Sequence, residues 1–280
     1  MSEIKPLHYK TLIAELPARA SDAHKGDQGH VCVVGAGVGG TSGALCLAGA
    51  AALRAGAGLV SGVAHPDSLV LLARALPELM IYGLDQPQAL KPLLSKISVW
   101  LIGPGLGQTK WSEAFFKATI ALPYPKVVDA DGLNCLAKWP SQSDQWVLTP
   151  HPGEAGRLLG VSTQEIQQNR VEAARALQSK YGGVIVLKGA GTVIVDPQDN
   201  RYQCTQAVPA LATGGTGDVL AGVISALIAQ GLSLSLAARL GVCVHTQAGL
   251  ALQAHSGIRG LLASDLLLPI RALLNSLEPI

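Results

Sequence analysis

The sequence predicts an α/β fold: a mainly parallel central sheet covered by helices, with an antiparallel hairpin at its edge. Three observations predict it. Short apolar runs recur at His30–Val34, 58–63, Val99–Ile102, 127–128, Trp146–Leu148 and Val184–Leu187, each of a length that suits a strand buried on both faces. Helix-like stretches separate most of these runs, the alternation expected of a parallel sheet with crossover helices. Val193–Val195 follows Val184–Leu187 after only Lys188-Gly189-Ala190-Gly191-Thr192. That gap is too short for a crossover helix, so the two runs pair antiparallel and make a mixed edge.

Taken in order, residues 1–29 carry Pro6, Pro17 and the polar run 21–29, and read as a lead-in arm. The strand 30–34 runs into a glycine-rich turn, 35–43, and then into 44–54, which is rich in alanine and leucine and free of proline, as a buried helix is. From Asp218 onward, apolar residues at helical spacing are interrupted by Gly231, Gly241, Gly257 and Gly260, the pattern of several packed helices. No internal repeat, low-complexity linker or break in composition divides the chain, so 280 residues read as a single domain, 1–280.

Composition excludes several classes of function. With 21 Lys and Arg against 19 Asp and Glu the formal charge is +2, too small for a sequence-blind nucleic-acid binder, so any phosphate affinity must be local. The chain is 49% hydrophobic but only 4% aromatic, which means a core of Ala, Val, Leu and Ile rather than global disorder. The longest membrane candidate, 219–229, contains Gly222 and Ser225 and falls short of the roughly 18 apolar residues a span needs. Glu3 and Lys5 open a mixed polar start unlike a secretory signal. Cys32, Cys46, Cys135, Cys204 and Cys243 form no C-x-x-C pair, so buried reduced thiols in the cytosol are expected, not disulfides or a zinc site.

Chemistry concentrates in a few loops. Ala212-Thr213-Gly214-Gly215-Thr216-Gly217-Asp218 runs straight into an apolar helix. A glycine-rich turn at a helix start presents unpaired N–H groups at the positive end of the dipole, a natural phosphate site. Asp218 then either caps the helix or takes a proton from an attacking hydroxyl. Thr149-Pro150-His151-Pro152-Gly153-Glu154 follows a strand and precedes a helix, where open sheets bind ligands, although a proline-stiffened turn has the same spacing. Lys188 to Thr192 is a hairpin tip that can set a cation and free N–H groups around a phosphate, or simply turn the chain. Val128-Asp129-Ala130-Asp131-Gly132-Leu133-Asn134 ends a strand with two carboxylates, either a water-mediated Mg²⁺ position or, for Asp131, a helix cap.

Gly35-Ala36-Gly37-Val38-Gly39-Gly40 fits G-x-G-x-x-G, the dinucleotide fingerprint, but no acid follows at the end of the next strand to hold a ribose. Gly103-Pro104-Gly105-Leu106-Gly107 forms a further loop at the same edge, a binding wall. None of the seven histidines lies three or four residues from another and no G-x-S-x-G occurs, so a helical zinc site and a hydrolase elbow lack support.

In this order, the motifs at 35–62, 103–107, 128–134, 149–154, 188–192 and 213–218 resemble the ADP-dependent NAD(P)H-hydrate dehydratases, over nearly the whole chain. The resemblance implies a ribokinase-like three-layer α/β/α fold. It implies an enzyme that removes water from the (S)-hydrate of NADH or NADPH at the expense of ADP, giving AMP and phosphate. Asp218 is then the base, and the N–H groups of Gly215, Thr216 and Gly217 stabilise the transferred phosphoryl group. Lys188, Gly189, Ala190, Gly191 and Thr192, with Gly217, hold the nucleotide, while Ala44, Gly107 and His151, with Asp218, hold the hydrate. The cofactor becomes a substrate lying on the 35–40 loop. Mg²⁺ dependence, a homotetramer and, since only about 29 residues precede the first strand, a separate epimerase are also implied. Where many members have asparagine ahead of the phosphate turn, this chain has Val208-Pro209-Ala210-Leu211. The nearest alternative is a small-alcohol kinase resembling hydroxyethylthiazole kinase, built on the same turn and base.

Overall fold

The computed structural model describes residues 3–38, 42–72 and 76–276. The strands are β1 (Ile4–Pro6), β2 (His30–Val34), β3 (Leu59–Ala64), β4 (Met80–Gly83), β5 (Val99–Ile102), β6 (Lys126–Val128), β7 (Trp146–Leu148), β8 (Val184–Leu187), β9 (Val193–Val195) and β10 (Arg201–Gln203). The helices are α1 (Tyr9–Ile13), α2 (Ser42–Arg54), α3 (Leu69–Leu72), α4 (Lys110–Ile120), α5 (Ala130–Lys138), α6 (Pro152–Leu159), α7 (Thr163–Gln168), α8 (Arg170–Tyr181), α9 (Thr216–Ala229), α10 (Leu234–Ser256) and α11 (Leu267–Leu274).

All ten strands join one sheet in the order β1-β10-β9-β8-β7-β6-β5-β2-β3-β4. The pairs from β4 across to β8 are parallel, and β9 runs antiparallel to both β8 and β10. Strand residues alternate between two helical layers, as the period of 2 requires. Val31, Val33, Leu101, Val127 and Val147 face a core shared with α2, α9, α10 and α11. Their neighbours Cys32, Val34, Trp100, Ile102, Val128, Trp146 and Leu148 face a second core with α4, α5, α6 and α8. Both faces are thus covered, which is why these strands read as continuous apolar runs and not as alternating ones.

The expected hairpin is present, but two further strands lie outside it: β10 pairs with β9, and β1 of the lead-in arm pairs in parallel with β10 at Ile4–Arg201 and Pro6–Gln203. The arm is also pinned by α1, where the Tyr9 hydroxyl donates to the Leu273 carbonyl at 2.7 Å. Gly241, expected to interrupt a helix, lies inside α10 because its missing side chain admits Ile224; a Cβ there would stand 2.7 Å from Ile224 Cγ1. Gly231 and Gly257 do end helical segments, with φ of +93° and +88°. The five thiols are free, four of them buried and Cys46 half-buried. Among the described residues, no helix is long and apolar enough to cross a membrane.

Two features position the functional edge. β2 pairs with β3 on one side and β5 on the other, so the winding of the chain reverses there and a crevice opens beyond the strand ends. The loops after β2, β5, β6, β7 and β8 all emerge on that side. Meanwhile α9 packs closely on α2 through small residues. A methyl group at Gly222 would drive into the Ala48 carbonyl and stand 3.0 Å from the Ala51 methyl. That contact sets the depth of α9 and with it the position of its N-terminus.

Gly222→Ala should therefore cost about 1–3 kcal/mol or more in urea unfolding, because the clash is with backbone and cannot relax by a rotamer change. Gly43→Ala, a helical position with nothing within 4 Å of the new methyl, should instead be neutral or stabilise by up to about 1 kcal/mol. Equal losses at both positions would remove the close-packing argument.

Candidate active site

The mouth of α9 is an array of free donors. Gly215 is its N-cap, with φ of +91° and no side-chain cap. The first intrahelical bond runs from Val219 N to Gly215 O at 3.1 Å. Among the described residues, no acceptor meets the N–H groups of Gly215, Thr216, Gly217 or Asp218, so four donors point outward at the positive end of a 14-residue helix. The Thr216 hydroxyl braces the turn from behind, donating to Leu211 O and Thr213 O, each at 3.0 Å. Asp218 stands in the first turn of α9 and not at the cap, because Gly215 occupies that position. Its carboxyl is therefore released from capping.

Opposite this mouth lies Lys188, at the C-terminal end of β8. Its ammonium is 2.5 Å from Asp129 Oδ1, and the Asp129 side chain is only 2% exposed. Asp129 is the N-cap of α5 by backbone, yet its side chain makes no capping bond; the lysine has taken it. Asp131, the other candidate cap, instead accepts from Gly107 N at 2.8 Å and from Asn134 Nδ2 at 3.1 Å. A methyl group at Gly217 would lie 3.2 Å from Lys188 Nζ, so the turn and the cation are adjacent and glycine keeps the space between them clear.

Three carboxylates thus share one ammonium. Burial opposes charge on Lys188, but Asp129, Glu154 and Asp218 outweigh it and push its pKa upward. For the acids the balance goes the other way. Burial raises the Asp218 pKa to about 7, aided by Asp129 and Glu154 and resisted by Lys188. Burial likewise lifts Glu154 to about 7, against the pull of Lys188. An aspartate poised near neutrality beside an anion turn can take a proton from a hydroxyl, the property a general base needs.

The 149–154 loop is both a cap and a wall. His151 is the N-cap of α6: its Nδ1 accepts from Gly153 N at 3.0 Å, while Glu154 reaches back to His151 N at 2.7 Å. The imidazole remains half exposed toward the crevice, with its pKa lowered by burial and by Lys188. Lys188 N donates to Pro150 O at 2.8 Å, tying this loop to the hairpin. Behind the hairpin, Arg170 donates to the carbonyls of Leu187 and Lys188 at 3.0 and 3.1 Å, and Thr192 closes its tip by donating to Gly189 O at 3.1 Å. Gly189 and Gly191 hold φ of +135° and +71°, which side chains rarely adopt.

A cavity of about 540 Å³ opens between these parts. It brings together His151, Lys188, Gly189, Ala190, Thr192, Thr216 and Gly217, walled further by Val208, Pro209 and Leu211. Ala44, Gly107, Gly191, Gly215 and Asp218 lie outside its lining. Ala44 opens α2 one turn before Leu47, which abuts Gly215, and Gly107 sits on the Asp131 carboxylate, so these residues flank the turn from the β2 side. There the 35–38 and 103–107 loops are stitched by Ala36 N to Pro104 O at 3.2 Å and Gly37 N to Gly105 O at 3.0 Å. Gly39 and Gly40 of the G-x-G-x-x-G run fall outside the described residues. Sequence reasoning missed Arg170 and His245, and did not pair Asp129 with Lys188. A run of alternating signs would flag such a pair, but these partners are 59 positions apart.

The chain is similar to known proteins over nearly its whole length. Over 274 residues the chain is 46% identical to a Coxiella burnetii protein named bifunctional NAD(P)H-hydrate repair enzyme, covering 98% of this chain and 56% of that protein. The chain spans about half the length of several such bifunctional relatives. It is 36% identical over 271 residues to the ADP-dependent (S)-NAD(P)H-hydrate dehydratase of Neisseria meningitidis, covering 92% of this chain and 89% of that one. The solved structure of ADP/ATP-dependent NAD(P)H-hydrate dehydratase from Bacillus subtilis, crystallised with ATP and Mg²⁺, is 28% identical with a TM-score of 0.87 and covers 99% of each chain. That agreement bears out the ribokinase-like fold. The profile of the NAD(P)H-hydrate dehydratase family matches residues 31–271, and the chain belongs to that family.

Proposed function

We propose that this chain dehydrates the (S)-hydrates of NADH and NADPH using ADP, releasing AMP and phosphate. The observation that carries the reading is the Asp218 carboxyl, held near neutrality in the first turn of a helix whose mouth presents four unpaired N–H groups. Asp218 takes the proton of the 6-hydroxyl as its oxygen attacks the β-phosphorus, and the bond to the AMP oxygen breaks. The N–H groups of Gly215, Thr216 and Gly217 face the charge that grows on the phosphoryl oxygens. The hydroxyl has become a phosphate ester, a far better leaving group. Loss of that phosphate from C6, with loss of a proton from C5, restores the dihydropyridine ring.

The remaining candidates follow from this geometry. Lys188, Gly189, Ala190, Gly191 and Thr192, with Gly217, hold the adenine nucleotide, and Arg170 fixes the start of this turn through the Leu187 and Lys188 carbonyls. Ala44, Gly107 and His151 hold the hydrate on the β2 side. Among the described residues, no group of three or more His, Cys, Asp or Glu side chains is arranged to hold a metal ion. This donor set suits Mg²⁺, which keeps its waters and is bound by one or two carboxylates together with substrate phosphates. Glu154 and Asp129 are the carboxylates that would hold it. When bound, the ion neutralises charge on the nucleotide phosphates. A homotetramer in the cytosol completes the reading and rests on family membership alone.

Incubation with ADP and NADH hydrate should restore the absorbance of the reduced nicotinamide in step with release of phosphate and AMP. Unchanged hydrate, with phosphate appearing on a small alcohol such as hydroxyethylthiazole, would replace the dehydratase reading with a kinase one. Asp218→Asn should retain ADP binding by calorimetry while kcat falls by about 10²–10⁴; an undiminished rate would remove the base assignment. Because the base must be ionised and its pKa stands near 7, kcat/KM should fall about tenfold per pH unit below that value. A profile flat from pH 5 to 8 would contradict it.

The same shift has a consequence for stability. A carboxyl whose folded pKa lies above its unfolded value binds more protons when folded, so its contribution weakens as pH rises from about 4 through 7. Asp218→Asn should therefore raise Tm by a few degrees at pH 8 and by less at pH 5. A loss of Tm at pH 8 would show that the ionised acid is well accommodated.

A further inference from the structure

His245 is a buried titratable group to which the reaction above gives no role. It projects from α10 one turn after Val242 and beside Thr246, and all three line the cavity. Its Nε2 lies 3.0 Å from the Thr216 carbonyl oxygen. A carbonyl only accepts, so Nε2 must carry the hydrogen. A second proton on Nδ1 would create a buried cation; burial above all, and also the Lys188 ammonium, drive the imidazole pKa down to about 4, against the favourable bond to Thr216. The ring is therefore neutral, with its tautomer set by the turn it supports, and Nδ1 is a bare acceptor.

Among the described residues, no donor reaches that nitrogen. Nor is it sealed in: the sealed side-chain atoms without a partner are Trp100 Nε1 and Arg170 Nε. His245 lines the cavity, where Val208, Pro209, Leu211 and Val242 offer apolar surface to a flat ring. An acceptor at the side of an apolar slot selects for a ligand that carries a donor at that point and rejects one that lacks it.

We propose that His245 is a specificity contact of the nucleotide pocket, its bare Nδ1 accepting a hydrogen bond from the nucleoside half of the ligand. The donor is the amino group of the base or a ribose hydroxyl. The inference rests on the reading of this cavity as the adenine-nucleotide pocket and adds to it the residue that tests the nucleoside. Thr216 couples the two ends of the site: its N–H faces the phosphates while its carbonyl fixes the imidazole that reads the nucleoside.

Calorimetry with ADP, 2′-deoxy-ADP, 3′-deoxy-ADP and purine riboside diphosphate, which lacks the amino group, separates the possibilities. One of the three analogues should bind the wild type about 10–100-fold more weakly than ADP, the cost of an unpaired buried acceptor. Loss with the purine analogue assigns the base, and loss with a deoxy analogue assigns the ribose. His245→Ala should weaken ADP by a similar factor and leave the affected analogue unchanged. If all three analogues bind the wild type as ADP does, or if the variant weakens all four ligands equally, the contact does not exist. Should His245→Ala fail to fold, His245→Phe, which keeps a ring but no acceptor, takes its place in the same comparison. A wild type that binds no adenine nucleotide would instead overturn the reading of the cavity itself.

Discussion

The ammonium of Lys188, set among Asp129, Glu154 and Asp218, is the interaction on which the site depends. Removing one partner from a buried ion pair leaves a charge with no compensation, at a cost of about 3–5 kcal/mol; here one cation answers to three acids. The same residue joins separate parts of the fold. Its ammonium reaches the end of β6, its N–H bonds to Pro150 after β7, and its carbonyl is gripped by Arg170 from α8. Loops at the sheet edge are thereby tied together, and the acid at the mouth of α9 owes its affinity for protons to burial first and then to Asp129 and Glu154, against the pull of Lys188.

The scaffold supplies the rest of the precision. α9 cannot slide along α2, because Gly222 sits against the Ala48 backbone and Gly215 against Leu47. Its free N–H groups are therefore aimed by packing and not by ligand. The two glycine loops after β2 and β5 are bonded to each other by backbone, so the wall on that side is also built from main chain. Apart from Asp218, which α9 itself carries, the charged side chains come from the other half of the crevice. The division separates a rigid, uncharged cradle from a compact ionic cluster.

Much of this was legible in the amino-acid order. The core strands are short, fully buried and bounded by glycine or proline, so they stand out as uninterrupted apolar runs; Val184–Leu187 and Val193–Val195 were located to the residue. β4 and β10 escaped notice because half-buried strands carry mixed side chains, as Arg201, Tyr202 and Gln203 do. The hairpin is not the outermost pair of the sheet, because β10 and β1 of the lead-in arm lie outside it. The glycine-rich turn is readable from its glycines, whereas the position of Asp218 relative to the helix cap is not: two residues separate it from Gly215, and only the observed cap says which residue ends the turn. The pairing of Asp129 with Lys188, and the roles of Arg170 and His245, depend on partners distant in sequence, and no local pattern marks them.

The surplus of acids around Lys188 also bears on how the site empties. In the proposed reaction, orthophosphate left at the mouth of α9 carries more than one negative charge at neutral pH, and it stands among carboxyls that tend toward ionisation in the same range. Each proton those carboxyls give up adds to the repulsion of the bound anion. In the proposed reaction the cluster that readies a hydroxyl for attack would thus also act as an electrostatic spring, loaded by chemistry and relaxed by departure of the inorganic product.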